Sequence, residues 1–498
     1  MISRRPSVPS GMASGEDGYR RDLRDRPEPG PAPGWPRVGV VLAAGRSARL
    51  SNATKGRSKA LTQLGGVPLV ERAVRTLFAA GLERVVVIVG YQAEDVSVAD
   101  RLAGGAVEIV RAESWEMGNG ASLAAAEDAV GGERLFVVLC GDPAFSEGAL
   151  GELIAAGRPA VLVDPAPAPD AWREGMRVRI EDGSAVAFAK DLEEPAIDCG
   201  VFVLPPEAFG AQREAARAGD HSLAGAVTAL GSERAIGAVP LGAGAWWQDI
   251  DTPDDLRVAR TLVRRSLVKE ADGPVSRHLN RPISTRISMS LAPLRLAPNL
   301  LSVLTFLVGL WAAWSLSASR AVVGGLFVQA ASVLDGVDGE TARLQERSSR
   351  WGAFLDDVFD RMVDAAIVAG LFLWAWDDPS RQFRALIIAM SAVGWAAIHL
   401  AGKRSLPDAH QALALTDLAE RKRWGVLVGS RDVRLFLVAG ASVISEPWLA
   451  IACFGVSYLG SFAWRIVVHR RRTRRPPVAL PPPHEIGDAS HGDLYEVG

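Results

Sequence analysis

The chain has 498 residues, 48% of them hydrophobic, enough for two or three domains and for more apolar material than one water-soluble core holds. Its 55 Lys and Arg face 57 Asp and Glu, a net charge of -2, so no global field recruits nucleic acid. Cys140, Cys199 and Cys453 lie far apart without a CxxC pair, which argues against a zinc site or a disulfide framework and suits a reducing cytosol.

Residues 1–36 are rich in Pro, Gly, Arg and acidic residues and have no signal-peptide core, which predicts a disordered leader. From 37 to 265, short apolar runs (VGVVLAA, RVVVIVG, LFVVLCGD, AVLVD, VFVLP) alternate with helix-like stretches. This pattern predicts a soluble α/β domain, a mainly parallel sheet covered by helices on both faces. Only six of the basic residues are lysine, so Lys59 and Lys190 each carry more information than usual.

The first strand leads into VGVVLAAGRSARLSNATKGRSKAL. Small residues at such a turn let backbone N–H groups approach phosphates, and Arg49 and Lys59 can neutralise a triphosphate and its leaving pyrophosphate. The stretch resembles the LAAG-x-x-x-R-L…K signature of the sugar-phosphate nucleotidyltransferases, a Rossmann-like α/β family that transfers NMP from an NTP onto a phosphate monoester. The resemblance implies nucleotide binding by Leu42, Ala43, Ala44, Gly45, Arg49 and Lys59, with Arg49 and Lys59 catalytic. It further implies that Asp142 (VVLCGD) and Asp249, with Asp251 two residues on (WWQDIDTPDDL), hold one Mg2+. Read without it, Asp142 before Pro143 could merely end a strand, and Thr252-Pro253-Asp254-Asp255 could merely start a helix.

By the same resemblance Glu116 and Asn119 (SWEMGNGASL) touch the nucleotide, and Ser122, Lys190 and Asp198 (FAKDLEEPAIDCGVF) grip the acceptor. Ser122 reads almost equally well as an N-cap. Ser58 replaces the usual Pro before the lysine and Gly45-Arg46-Ser47 the commoner GxG, departures that leave the base less defined.

Residues 266–298 form a connector whose part 272–299 (DGPVSRHLNRPISTRISMSLAPLRLAPN) mixes Arg with Ile, Met and Leu, predicting a helix lying at the membrane interface, with a plain linker as the alternative. A transmembrane domain is expected over 299–470, with apolar runs at 299–318, 321–336, 351–376, 383–401, 433–446 and 447–468 read as six helices. The basic segments ARLQERSSR, GKR, ERKRW and RRRTRR all fall on one side, which becomes the cytoplasmic side together with the soluble domain. Residues 471–498 read as a disordered tail.

From the end of the second run into the third stands D-x2-D-G-x2-A-R-x8-G-x3-D-x3-D, starting at Asp335. Asp335 and Asp338 are one helical turn apart, as are Asp356 and Asp360, so two helix ends joined by a short turn bring four carboxylates together. Four unpaired anions would repel strongly at a membrane edge, and divalent cations offset that repulsion, which predicts a di-metal site. Gly339, Ala342 and Gly352 leave room for a flat base or a pyrophosphate, although helix packing would use the same residues.

This pattern is the signature of the CDP-alcohol phosphotransferases, which it resembles over about residues 275–470. The resemblance implies six membrane helices, a homodimer and Mg2+ or Mn2+ held by Asp335, Asp338, Asp356 and Asp360, with Asp360 the general base. Arg343 joins the nucleotide ligands, while Arg277, Arg281 and Asn299, and more distantly Arg404, Arg421 and Arg423, are candidates for substrate phosphates. Juxtamembrane basic residues equally meet anionic lipid. Asp357 reads as a bystander, and Asp364 as a group orienting Arg361 or the acceptor.

A domain that makes a nucleotide-activated alcohol fused to one that consumes it predicts consecutive steps in one enzyme. With DGPVSRHLNRPIS at the junction, the arrangement resembles the bifunctional CTP:inositol-1-phosphate cytidylyltransferase/CDP-inositol:inositol-1-phosphate transferases. CTP, inositol 1-phosphate and CDP-inositol are then the small-molecule partners, and the protein resides in the cytoplasmic membrane with both sites facing the cytoplasm. The alternative is a phospholipid synthase whose soluble domain supplies another CDP-alcohol or is inactive.

Overall fold

The computed structural model describes residues 35–46, 56–96, 106–269, 272–345, 349–376, 431–445, 449, 450 and 452. Arg49, Arg404, Arg421, Arg423, Cys453, residues 1–34, the run 383–401, most of the run 447–468 and the tail therefore lie outside the described residues. The chain divides into two compact units, one within 1–272, 276–310 and 330–364, the other within 273–275, 311–329 and 365–498.

The first unit is built on a nine-stranded sheet. Its strands are β1 Val38–Leu42, β2 Arg84–Val89, β3 Val107–Arg111, β4 Phe136–Cys140, β5 Ala160–Asp164, β6 Arg177–Glu181, β7 Ser184–Ala189, β8 Ile197–Leu204 and β9 Gly237–Pro240. The spatial order is β3-β2-β1-β4-β8-β5-β9-β7-β6. Val38 of β1 stands opposite Arg84 and Phe136, so β1 runs parallel to both β2 and β4. Seven of the nine strands run the same way, and the exceptions are β8, antiparallel between β4 and β5, and β7, antiparallel to both β6 and β9.

Successive β1 residues serve opposite faces, which is why its run is uniformly apolar. Val40 packs with Phe136, Phe202, Phe209 and Leu230, which brings α3 Glu207–Arg217 and α4 Leu223–Glu233 onto one face. Val41 packs with Val87, Val74 and Leu77, which seats α1 Leu69–Ala79 on the other. The carboxyl ends of β1 and β4 lie side by side, where β1's other neighbour is β2, and a doubly wound sheet leaves a crevice at such a point.

After the sheet, α5 Pro253–Ser266 begins with a capping box in which the Thr252 hydroxyl accepts from the Asp255 N–H and the Asp255 carboxylate accepts from the Thr252 N–H. The connector contains a π turn, Ser276–Asn280, then α6 Arg281–Leu291 and a 3-10 turn, Ala292–Leu294. The burial of α6 differs from a simple amphipathic reading. Its buried residues are Ser284, Thr285 and Ser288, while Ile283 is exposed, because a carboxylate opposite requires hydroxyl donors.

Next come α7 Pro298–Ser317, α8 Ala321–Leu344 and α9 Arg350–Trp376, and later α10 Arg431–Val443. By length and composition α7, with 20 residues and a mean hydropathy of 1.8, and α8, with 24 residues and 1.4, are able to cross a membrane. The second apolar run thus continues as helix from 336 through the acidic motif to Leu344. Glycines allow close approaches along these helices: a Cβ at Gly336 would lie 2.4 Å from Arg281 Nη1, and one at Gly309 would lie 2.6 Å from Val363 side-chain carbons.

Candidate active sites

The first site forms where β1 and β4 end. Leu42, Ala43 and Ala44 are buried and Gly45 is exposed. The Gly141 N–H donates to Leu42 O at 3.0 Å, and a Cβ on Gly141 would come within 2.7 Å of that oxygen, so only glycine lets the Asp142 loop close on the turn. The 3-10 turn Lys59–Leu61 then brings in Lys59, with the Ser58 N–H held by Gln92 Oε1 at 2.7 Å.

Lys59 is 8% exposed, and its Nζ lies 3.0 Å from Asp142, 2.5 Å from Asp251 and 3.6 Å from Asp249. Burial works against the ammonium charge, but the three carboxylates outweigh it and hold Lys59 above its ordinary range. The same burial, with the charges of Asp142 and Asp251, pushes Asp249 up to about 7 despite the opposing pull of Lys59. Asp198 also rises to about 7 through burial and Asp142, opposed by the Gly200 N–H and by Lys190.

Asp142, Asp249 and Asp251 each offer an oxygen within 4.8 Å of the others. Asp249 Oδ1 is buried and accepts no hydrogen bond, and an all-carboxylate set suits a hard divalent cation, so the residues fit Mg2+. Asp251 belongs to this cluster as closely as Asp249 does.

Around the SWEMGNGASL loop, Glu116 is exposed, while Asn119, which opens the helix α2 Asn119–Ala124, accepts through Oδ1 from the Leu223 N–H at 2.8 Å. Ser122 is buried and donates to Gly118 O at 3.4 Å. Ser122 is therefore inside the helix rather than at its cap.

The second site lies at the facing ends of α8 and α9. Asp335, Asp356 and Asp360 place oxygens within 4.8 Å of one another. Asp338 is 4% exposed, accepts from Ser302 Oγ of α7 at 2.5 Å, and also bonds to Asp356. These oxygens again fit a hard divalent cation. Asn299 reaches this region too, since a Cβ on Gly352 would lie 3.3 Å from its Oδ1. Gly339 would tolerate a Cβ at 3.4 Å from Arg343 Nη1, so its absent side chain reflects room and not strain.

The arginines differ from expectation. Arg281 donates to Asp272 at 2.8 and 2.9 Å and to Glu340 at 2.7 Å, and is held above its usual range by these partners despite burial. Its guanidinium is engaged in an internal network. Arg343 donates to Leu267 O at 3.1 Å, and Arg277 reaches Asp272 O at 3.5 Å. Arg361 pairs with Asp357, not with Asp364, which is buried one turn beyond Asp360. Ala342 is partly buried on α8.

Sequence reasoning passed over Glu340, Ser302 and Lys269. Lys269 is lowered by burial and by the charges of Arg343 and Arg281, and it also senses Asp356. The rarity of lysine was the available signal.

Residues 39–225 match the family described as MobA-like NTP transferase domain, and 295–414 match CDP-alcohol phosphatidyltransferase. Both are enzyme families, and the second, with the apolar helices α7 and α8, marks a membrane protein. The bifunctional IPC transferase and DIPP synthase of Rubrobacter xylanophilus is 36% identical over 421 residues, covering 84% of this chain and 92% of that protein. Its counterpart in Thermococcus kodakarensis is 34% identical over 364 residues, 72% of this chain and 81% of that one. The inositol-1-phosphate CTP transferase from T. maritima aligns in structure with 45% of this chain and 94% of its own, at 24% identity and a TM-score of 0.41. With two acidic clusters on two such domains and an alignment that runs nearly end to end, the chain belongs to the family of bifunctional IPC transferases and DIPP synthases.

Proposed function

We infer that this chain carries out two consecutive transfers, CTP plus inositol 1-phosphate to CDP-inositol and pyrophosphate, then CDP-inositol plus inositol 1-phosphate to di-myo-inositol phosphate phosphate and CMP. The observation that carries this is one chain holding two carboxylate clusters and matching two enzyme families.

In the first transfer a phosphate oxygen of inositol 1-phosphate attacks the α-phosphorus of CTP, and the bond to the β-phosphate breaks. Lys59 and Arg49 neutralise the departing pyrophosphate, the turn Leu42–Gly45 seats the nucleotide, and Glu116 and Asn119 hold base or ribose. Ser122, Lys190 and Asp198 grip the acceptor. In the second, an inositol hydroxyl attacks the β-phosphorus of CDP-inositol, Asp360 takes its proton, and CMP leaves. Gly339, Ala342, Gly352 and Arg343 surround the nucleotide, and Asn299 and Arg277 meet phosphate. Mg2+ or Mn2+ held by Asp142, Asp249 and Asp251, and by Asp335, Asp338, Asp356 and Asp360, supplies charge neutralisation at the phosphoryl oxygens.

The wider reading is a homodimer with six membrane helices over 299–470 and both sites on the cytoplasmic side, which the one-sided basic loops support. Purified protein given labelled CTP, inositol 1-phosphate and Mg2+ should release pyrophosphate, CDP-inositol and then the phosphorylated diester. Failure to form CDP-inositol sinks the reading, and consumption of CDP-inositol only with a lipid acceptor would transfer the membrane part to phospholipid synthesis.

A further inference from the structure

Four residues of α1 and its surroundings do work that neither reaction explains. The last carbonyls of a helix have no partner within it and attract cations. At the end of α8, Leu344 O accepts from Arg72 Nη2 at 2.8 Å, and Gln345 O accepts from Arg75 Nη1. Both arginines belong to the nucleotidyltransferase domain, on the helix that covers its sheet.

The clamp is itself held. Arg75 is 9% exposed and donates to Glu71 Oε1 at 2.5 Å, and Glu71, 3% exposed, accepts on its other oxygen from Arg295 Nη2 at 3.0 Å. Arg295 stands at φ 49 in the turn that leads into α7. Gln345 closes the ring by donating to Leu296 O at 3.3 Å. Beneath it Leu344 and Ala292 share an apolar core with Leu64 and Ile250 of the soluble domain and Leu267 of the connector. Gly66, at φ +79, fits only without a side chain, since a Cβ there would lie 2.2 Å from Ala292 O.

The helix end so gripped is the one that carries the acids. Asp338 lies six residues before Leu344, about 9 Å along the axis at the usual helical rise. Asp335 and Asp338 thus sit within three turns of a terminus whose position the other domain sets, and α7, which supplies Ser302 to Asp338, is anchored by the same ring.

We propose that Arg72 and Arg75, in the nucleotidyltransferase domain, are positioning residues for the phosphotransfer reaction, capping the C-terminal carbonyls of α8 and so fixing Asp335 and Asp338. The proposal rests on the second reaction for its kinetic consequence but not for its metal consequence. Partners outside the ligand shell are worth about 10–100-fold in metal affinity or activity when they orient ligands.

The test uses the full chain with Arg72→Ala and Arg75→Ala together, in a background where Asp142→Ala and Asp249→Ala silence the first metal site. Mn2+ binding, followed by electron paramagnetic resonance, should weaken about 10-fold or more relative to the same background with the arginines intact. In the otherwise wild-type chain, the double replacement should lower kcat for CMP release from supplied CDP-inositol and raise the Mn2+ concentration needed. Pyrophosphate release from CTP should stay unchanged. Arg75→Lys, which still offers a donor, should recover much of the loss. Unchanged Mn2+ affinity overturns the proposal, and so does a parallel fall of both reactions. If the wild-type chain makes no CMP, the functional reading fails while the Mn2+ titration still decides the role of the arginines.

Discussion

Lys59 occupies the centre of three carboxylates, so a divalent cation and the ammonium compete for the same oxygens. Lys59→Met should therefore tighten Mg2+ binding at this cluster while cutting pyrophosphate release by about 10²–10³-fold, the usual cost of losing one charge-stabilising donor. Calorimetric titration in an Asp335→Ala background isolates the site, and unchanged or weaker Mg2+ binding would refute the competition. The pH dependence has a definite sign. Asp249 titrates at about 7, raised first by burial, so below that pH a cation must displace its proton, and above it none remains. Apparent Mg2+ affinity should rise with pH up to about 7 and then level off, with Asp249→Asn removing the slope. At this scale Lys59, Asp142 and Asp249 were legible as candidates because their spacing follows a recognisable signature, and the structure brings them together. Their mutual distances were not, since they come from segments over 80 positions apart.

The pair α6 and α8 depends on Glu340, which is fully buried and accepts from Arg281 at 2.7 Å, Ser284 at 2.6 Å and Ser288 at 2.7 Å. A buried carboxylate survives only when so surrounded. Glu340→Leu would leave two hydroxyls and one side of a guanidinium without their acceptor, at a cost of about 3 kcal/mol. Thermal unfolding in detergent should register a clear drop in Tm, with Glu340→Gln less affected, and an unchanged Tm would show the network to be dispensable. The sequence pattern placed α6 as a helix but did not reveal the bond between Arg281 and Glu340. Helical periodicity reveals which residues share a face, whereas the acceptor opposite Arg281 lies 59 positions away on another helix.

Across the molecule, each reaction has its own carboxylate cluster, so damage to one should spare the other. Asp142→Ala should abolish CDP-inositol formation yet still convert supplied CDP-inositol, and Asp360→Ala should accumulate it. Mixing the two purified variants should restore diester formation, because a charged, water-soluble intermediate exchanges through solvent. Failure of the mixture to make diester would refute exchange. What the sequence determined by itself was the set of local and compositional properties. These are the α/β part, the two apolar helices that follow it and both acidic motifs, all carried by short-range spacing and by hydrophobic runs that need no partner to be read. Tertiary structure alone decided the mixed order of the sheet, the diversion of Arg281 into Glu340, the convergence on Lys59, and the capping of α8 by Arg72 and Arg75. Each of these pairs groups distant in the chain whose charges or lone pairs must be satisfied once water is excluded, and that demand exists only after the chain has packed.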